Sequence, residues 1–403
     1  MKIFYSFLLF LISPILLFGQ EKESHWINKD SLFKYVQPSA SMQFWTTYTM
    51  GEEAQLSADG PLEPVQDRLN FFIRRARIGF KGKPYKNLSY KLTIQYDNVG
   101  KDKFTGARSG TNTGNLGILD AFMSWKMTNN DLASITFGYF HPQISRECIT
   151  GDMFVNSFDK SPSQAYIRKF ITGKSYGRST GINIGGLTRK NILSVNYNVG
   201  IFSNNTTAED TKKFPETSGK LWSPLLASRL TFSIGDPDIE KYAVNYGVNN
   251  RFNKRKGVTL GFNATHQGET EIFESNNAVG IDLLLNYSKL NIDAELFWLK
   301  RDVQGKSSEM RTGLVRLGYN LLLNKKIFIE PTVSYVTSEG DVNSIFQGQD
   351  NYMDFGLNWY LNKQNLKMSL HYILQDGEGD NGFTDGETFT KGNYLGYGLV
   401  VII

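Results

Sequence analysis

Two groups of cations carry most of the chemistry legible in this chain. The first lies in Phe71-Phe72-Ile73-Arg74-Arg75-Ala76-Arg77-Ile78-Gly79-Phe80. A period of two puts Arg75 and Arg77 on one face of a strand and Phe72, Ala76, Ile78 and Phe80 on the other, so Arg74 falls on the apolar face. The second group is Arg146, Lys160, Arg168, Lys169 and Lys174, set against Glu147, Asp152 and Asp159 within residues 142–177. Planar, forked guanidinium donors suit oxyanions, which points to recognition of small anions. A second reading stands beside it: Arg75 and Arg77 pair with acids on the same polar wall.

Other chemistry has little support. His25, His141, His266 and His371 are too scattered for a metal cluster, and His141 near Ser145 reads as a polar pair at a lip rather than as hydrolytic machinery. The single cysteine, Cys148, reads as a small side chain. There is no glycine-rich phosphate loop, and no cofactor is implied. A net charge of +5 without a basic tract argues against nucleic acid as a partner.

The stretch 142–177 has no clear strand or helix period, yet Met153, Phe154, Phe158, Tyr166 and Phe170 make it too apolar for a free surface loop. A loop this long within a regular protein is usually functional. Around it the chain alternates. Ala40, Met42, Phe44, Thr46 and Tyr48 share one face, with Trp45 breaking the pattern toward the other side. Ile281, Leu283, Leu285 and Tyr287, then Phe355, Leu357, Trp359 and Leu361, repeat the pattern, and Leu395 to Ile403 closes it. About sixteen such segments can be counted between residues 38 and 403. Each is long enough for a tilted strand of about 9–11 residues to cross a bilayer.

The connections alternate in length. Pro84–Asn87, Thr128–Asp131, Thr188–Lys190, the Lys289 region, Asn324–Lys325 and Asn362–Asn365 are short. Between them come long ones at 51–66, 99–116, 142–177, 203–222, 268–276, 302–309, 339–349 and 377–391. Short inner turns and long outer loops are the pattern of membrane β-barrels. The exception, 235–256, falls where a short turn is due. It reads as a periplasmic excursion or as an extra hairpin that raises the count to eighteen.

Composition agrees. Aromatics make up 13% and glycines number 38, while mean hydropathy is only −0.33. After the N-terminus no run reaches the roughly 20 apolar residues of a membrane helix. Lys2, the apolar run Phe4 to Phe18 and Leu17-Phe18-Gly19 read as a cleaved signal peptide over residues 1–19. Residues 20–37 read as a short periplasmic tail. The expectation is an all-β chain: a transmembrane antiparallel β-barrel of about sixteen strands over 38–403, in the outer membrane, with the third outer loop folded into the lumen as a constriction. Arg75, Arg77, Arg146, Lys160, Arg168, Lys169 and Lys174 would line it. By the same alternation Asp120, Asp282, Asp293, Glu295, Glu330 and Asp354 face inward beside Lys91, Arg229 and Arg316, so the wall is mixed. Expected partners are outer-membrane lipid, the barrel assembly machinery, and small hydrophilic solutes or anions. The alternative is a barrel plugged by its own loop, with a binding or structural role.

With those residues in view, the chain resembles the phosphate-selective porin O and P family. The stretches that carry the likeness are NFFIRRARIGFKGKPYKNLSYKLTIQYD, GILDAFMSWKM, ITFGYFHPQISRECITGDMFVNSF, SYGRSTGINIGG and LLASRLTFSIGD, over about residues 67–235. The resemblance implies a sixteen-stranded barrel that assembles as a homotrimer, with an inserted third loop. Members often carry Glu-Arg where Glu147-Cys148 stands, and a second arginine where this chain has Asn156-Ser157. The resemblance therefore implies the fold without the phosphate preference.

Overall fold

The computed structural model describes residues 35–55, 60–107, 116–174, 176–204, 220–324, 326–341, 344, 347–377 and 389–403. The proposed signal peptide and most of the proposed tail lie outside them.

Sixteen strands form one closed antiparallel ring. They are β1 (Gln37–Met50), β2 (Arg68–Tyr85), β3 (Leu88–Tyr96), β4 (Leu116–Lys126), β5 (Ser134–Phe140) and β6 (Ser179–Lys190). Then come β7 (Leu193–Ser203), β8 (Leu225–Gly235), β9 (Gly257–Gln267), β10 (Ser275–Tyr287) and β11 (Leu290–Val303). The ring ends with β12 (Lys306–Tyr319), β13 (Ile327–Gly340), β14 (Gly348–Gln364), β15 (Leu366–Gly377) and β16 (Asn393–Ile402). Each strand pairs with the next, and β1 also pairs with β16, from Ser41 opposite Ile402 to Met50 opposite Asn393. Closure leaves no unpaired edge, which a strand structure in hydrocarbon requires.

The sidedness is inverted relative to a water-soluble protein. On β9, Val258, Leu260 and Phe262 are exposed on the outside, while Thr259, Asn263 and Thr265 are buried on the inside. An apolar exterior over a polar interior is stable only where the outside solvent is lipid. Exposed aromatics mark the short-turn ends of several strands: Tyr85, Trp125, Tyr287 and Tyr319. Their amphipathic rings suit a membrane–water boundary.

Turn chemistry sets the short ends. Lys190 pairs with Leu193 and Tyr287 with Leu290, leaving two-residue turns. Asn191 and Ser288 adopt positive φ in them. One expected long loop, 302–309, is itself a tight turn. Val303 pairs with Lys306, and Gln304 and Gly305 take φ of 50° and 71°, the left-handed pair that hairpins favour. Here β11 and β12 simply run on as a 14-residue hairpin on each side.

Two other expectations are corrected. The excursion between β8 and β9 adds no hairpin to the ring. It folds back inside it, with Tyr242 bonded to Asn183 and Asn198 on the inner faces of β6 and β7. The wall of β2 also departs from strict alternation. Gln43 pairs with Arg75 while Phe44 pairs with Ile73, so Arg74 is an extra, bulged residue. A bulge inserts one residue against none and re-aims its neighbours. Arg74 and Phe72 therefore point inward and are buried, whereas they were expected on the lipid face. Phe71, Leu69 and Ile78 take the outer positions.

Candidate pore constriction

The bulge brings Arg74, Arg75 and Arg77 to one patch of the inner wall. The third outer loop meets it there. The loop is not structureless, as its sequence suggested: it holds α1 (Arg146–Ile149) and α2 (Pro162–Thr172). Ser161 caps α2 by accepting from the Gln164 amide, Pro162 opens it, and Gly173 closes it at φ 66°. Ser-Pro before and Gly after is a local helix signal that does not depend on an apolar period.

Aromatic and aliphatic anchors fix the loop. Phe158 stacks on Trp45 at 4.3 Å and lies over Gly396 and Gly398. Ile144, Cys148, Tyr166, Ile167, Phe170 and Ile171 join Phe140, Phe202, Leu225 and Phe297 in one buried cluster. A side chain at Gly396 would sit 2.5 Å from the Phe158 ring. Gly396→Val should therefore displace Phe158 and lower stability by about 1–3 kcal/mol, the usual cost of overpacking. A urea-unfolding midpoint in detergent measures it.

Ion pairs then lock the anchored loop. Asp159 holds Arg74 at 2.8 Å and Arg75 at 2.6 Å. Asp152 holds Arg77 at 2.7 Å, and Arg77 also meets Asp97 at 2.7 Å. Burial alone would raise the Asp152 carboxyl, but Arg77, Arg75 and Lys160 outweigh it and hold it well below the usual range. Lys160 donates to the carbonyls of Cys148 and Thr150. Burial and the neighbouring Arg168 bring its ammonium down to about 8, against Asp152 and Glu147. Arg168 donates to the Cys148 carbonyl and lies against the His141 ring. Burial pushes the Cys148 thiol up to about 11, which leaves it an inert core group.

Of the cations singled out in the sequence, Arg75, Arg77, Lys160 and Arg168 gather around Asp152. Arg146 goes elsewhere: it is buried between Asp238, at 2.5 Å, and Asp293, at 3.3 Å. Lys169 and Lys174 stay half-buried at the end of α2. Glu147 bridges the loop to Arg316 on β12 at 3.0 Å. The pairs made by Arg75 and Arg77 are those of the second sequence reading, with the acids supplied mainly by the loop itself. Asp152 and Asp159 were visible in the sequence as counter-charges; their partners were not, because the bulge at Arg74 is set by pairing with β1.

The two inserted segments cover the inner wall unequally. On β7 to β15 the inward side chains Asn198, Thr259, Asp282, Arg316, Glu330, Asn358 and His371 are all buried beneath them. On β2 to β5 only part of the inner wall stays accessible, since Arg75, Thr93, Gln95, Asp120 and Thr136 are buried there as well. The Lys91 side chain is 41% exposed and that of Lys126 is 34% exposed. Lys81 is exposed directly opposite Lys91, and Ser89 and Ser124 are half-buried. Asp120 pairs with both Lys91 and Arg178 at 2.9 Å. The accessible inner surface is thus a strip lined by hydroxyls, lysines and a few paired carboxylates.

This architecture has relatives. The structure is similar to OprB of Pseudomonas putida, with a TM-score of 0.58 at 10% identity, covering 93% of this chain and 96% of that one. It is also similar to Salmonella typhi OmpF, with 0.54 at 12% identity over 91% and 97%. An anion-selective porin from Comamonas acidovorans scores 0.51 at 10% identity over 91% and 99%. These identities speak for the fold alone. A search of curated proteins gave no significant match. The sequence model of phosphate-selective porin O and P matches residues 55–400, nearly the whole chain. With its closed sixteen-stranded ring and inserted third loop, this chain belongs to the phosphate-selective porin O and P family.

Proposed function

We propose that the protein is a passive diffusion channel of the outer membrane, with a modest preference for small anions and no cofactor. Family and fold support the outer-membrane channel; the ion preference is our reading of the accessible strip. The observation that carries it is the facing pair Lys81 and Lys91 on the accessible part of the wall. Along the strip the five cations Arg77, Lys81, Lys91, Lys126 and Arg178 stand against the four acids Asp97, Asp120, Asp131 and Asp152. A narrow path between low-dielectric walls amplifies such an imbalance. Arg75, Arg146, Lys160 and Arg168 act from behind this surface, as fixed charges that hold the loop. Passing oxyanions such as phosphate meet lysines rather than a tight guanidinium cage, so selectivity among anions is weak.

Replacing Lys81 and Lys91 together by Gln should move the reversal potential of single channels toward cations in a planar bilayer. Neither lysine anchors the loop, so the barrel stays folded. The shift should shrink between 0.1 and 1 M salt, as the Debye length falls from about 10 to about 3 Å. An unmoved reversal potential in the double variant sinks the assignment.

A second reading is favoured by the burial of the whole inner wall from β7 to β15: a barrel closed by its own inserted segments, with a binding or structural role. Current steps from pure protein distinguish the two, since a closed barrel gives none. A homotrimer is part of the proposal. It rests on the family and on OmpT of Vibrio cholerae, a similar fold (TM-score 0.52, 10% identity) described in a trimer form. Mass measurement in detergent tests it.

A further inference from the structure

We propose that the segment between β8 and β9, residues 237–255, is the movable gate of this channel, and that the third outer loop is its fixed frame. This rests on the channel reading above. Both segments fill the lumen, but they are held by different forces. The outer loop is seated by buried apolar side chains, including Ile144, Ile167, Phe170 and Phe158. None of the residues in those two apolar clusters comes from 237–255. That segment buries Val244 but is held mainly by polar contacts. Asp238 meets Arg146 at 2.5 Å, Asn245 accepts from Gln143 at 2.8 Å, and Asn249 donates to Asp293 at 2.5 Å. Its backbone touches the loop through a bridge between Gly247 and Thr150 and a long bond from Asn249 to Phe154. Its aromatic seat is Phe252, against Phe328 and Tyr360.

Water can replace hydrogen bonds at little net free energy, but it cannot replace buried apolar contacts. In a hydrated lumen the polar segment is therefore the one that opens first. Its backbone points the same way. Asn245, Phe252 and Asn253 take positive φ of 53°, 52° and 62°. For a bulky residue such as Phe252 this is strained. Release toward the periplasm relaxes the strain. It also uncovers an amide-rich wall that includes Asn183, Asn198 and Asn286, bonded now to Tyr242 and to the Asn249 carbonyl. Amides offer paired donors and acceptors without net charge. The open state thus admits neutral polyhydroxylated solutes larger than the ions that use the lysine strip.

The base of the segment suits excision. Gly235 pairs with Gly257, and the Asp236 amide donates to the Lys256 carbonyl at 2.9 Å. Replacing 237–255 by Asn-Gly closes that base as a two-residue hairpin. The excised full-length barrel should show a severalfold larger unitary conductance in planar bilayers, and liposomes containing it should swell faster in raffinose. If wild type conducts and the excised barrel conducts equally, with unchanged raffinose entry, the gate is overturned while the channel reading stands. If neither conducts, both readings fall. Hydrogen exchange on the intact wild-type protein keeps the proposal testable should the excised chain not fold. Amides of 238–254 should exchange at least tenfold faster than those of 162–172. Equal protection overturns the gate.

Discussion

Replacing Asp159 by Ala is expected to destabilise the barrel by about 3–5 kcal/mol, the usual penalty for removing one partner of a buried ion pair. Asp159 is the shared counter-charge of Arg74 and Arg75, at 2.8 and 2.6 Å, and all three side chains are nearly inaccessible. Without it two guanidiniums stay buried side by side, with Asp152 at 3.6 Å as the next carboxylate of Arg75. A urea-unfolding series in detergent measures the loss. Combining Asp159→Ala with Arg74→Ala and Arg75→Gln should recover part of it, because contacting residues are not additive. No recovery would mean that the defect lies in the loop backbone rather than in unpaired charge. The pH dependence has a definite sign. Burial would raise the Asp159 carboxyl, but Arg74 and Arg75 hold it below the usual range. A depressed folded value gives stabilisation that is fully present above the unfolded value of about 3.9 and is lost as pH falls through the folded one. Mild acid should therefore leave the loop seated, and only strong acid should loosen it.

Deleting residues 152–172 should raise single-channel conductance while lowering stability. The deletion removes Phe158, Tyr166, Ile167, Phe170 and Ile171 from the two buried clusters. It also removes the acids that neutralise Arg74, Arg75 and Arg77. Those arginines would then face the lumen with Asp97 as the counter-charge left to Arg77. The reversal potential should move toward anions as the pore widens. Conductance should still fall short of that of an empty ring, because residues 237–255 continue to fill the lower lumen beside β6, β7 and β11. Combining this deletion with excision of the lower segment should exceed either alone. An unchanged conductance in the 152–172 deletion would place the loop outside the conducting path.

The contrast between these predictions and the sequence reading follows the range of the interactions involved. Alternation on strands such as Ile281 to Tyr287 is a local, two-residue signal, so the strands, their count and, except on β2, their lipid faces were legible without any structure. Turn residues such as Asn191 are equally local. The inserted loop announced itself by composition, since aromatics and charges without a period fit neither strand nor exposed loop. The cap residues Ser161, Pro162 and Gly173 also stood in the sequence as a local signal for α2.

Tertiary structure decided the rest, because it depends on which distant residues meet. Alternation fails at Arg74 only because β1 pairs with β2 one residue out of step there, and that shift turned an expected lipid-facing arginine into a partner of Asp159. Arg75 likewise meets an acid that no local pattern connects to it, Asp159, at a sequence separation of 84. Arg146 found Asp238 through a segment whose inward fold no local pattern encodes. Sequence by itself determined the barrel and the two faces of its wall. Only the folded ring decided which charges cancel across the lumen, as Lys91 does with Asp120, and which, like Lys81, stay exposed, because cancellation depends on distance in space and not on order along the chain.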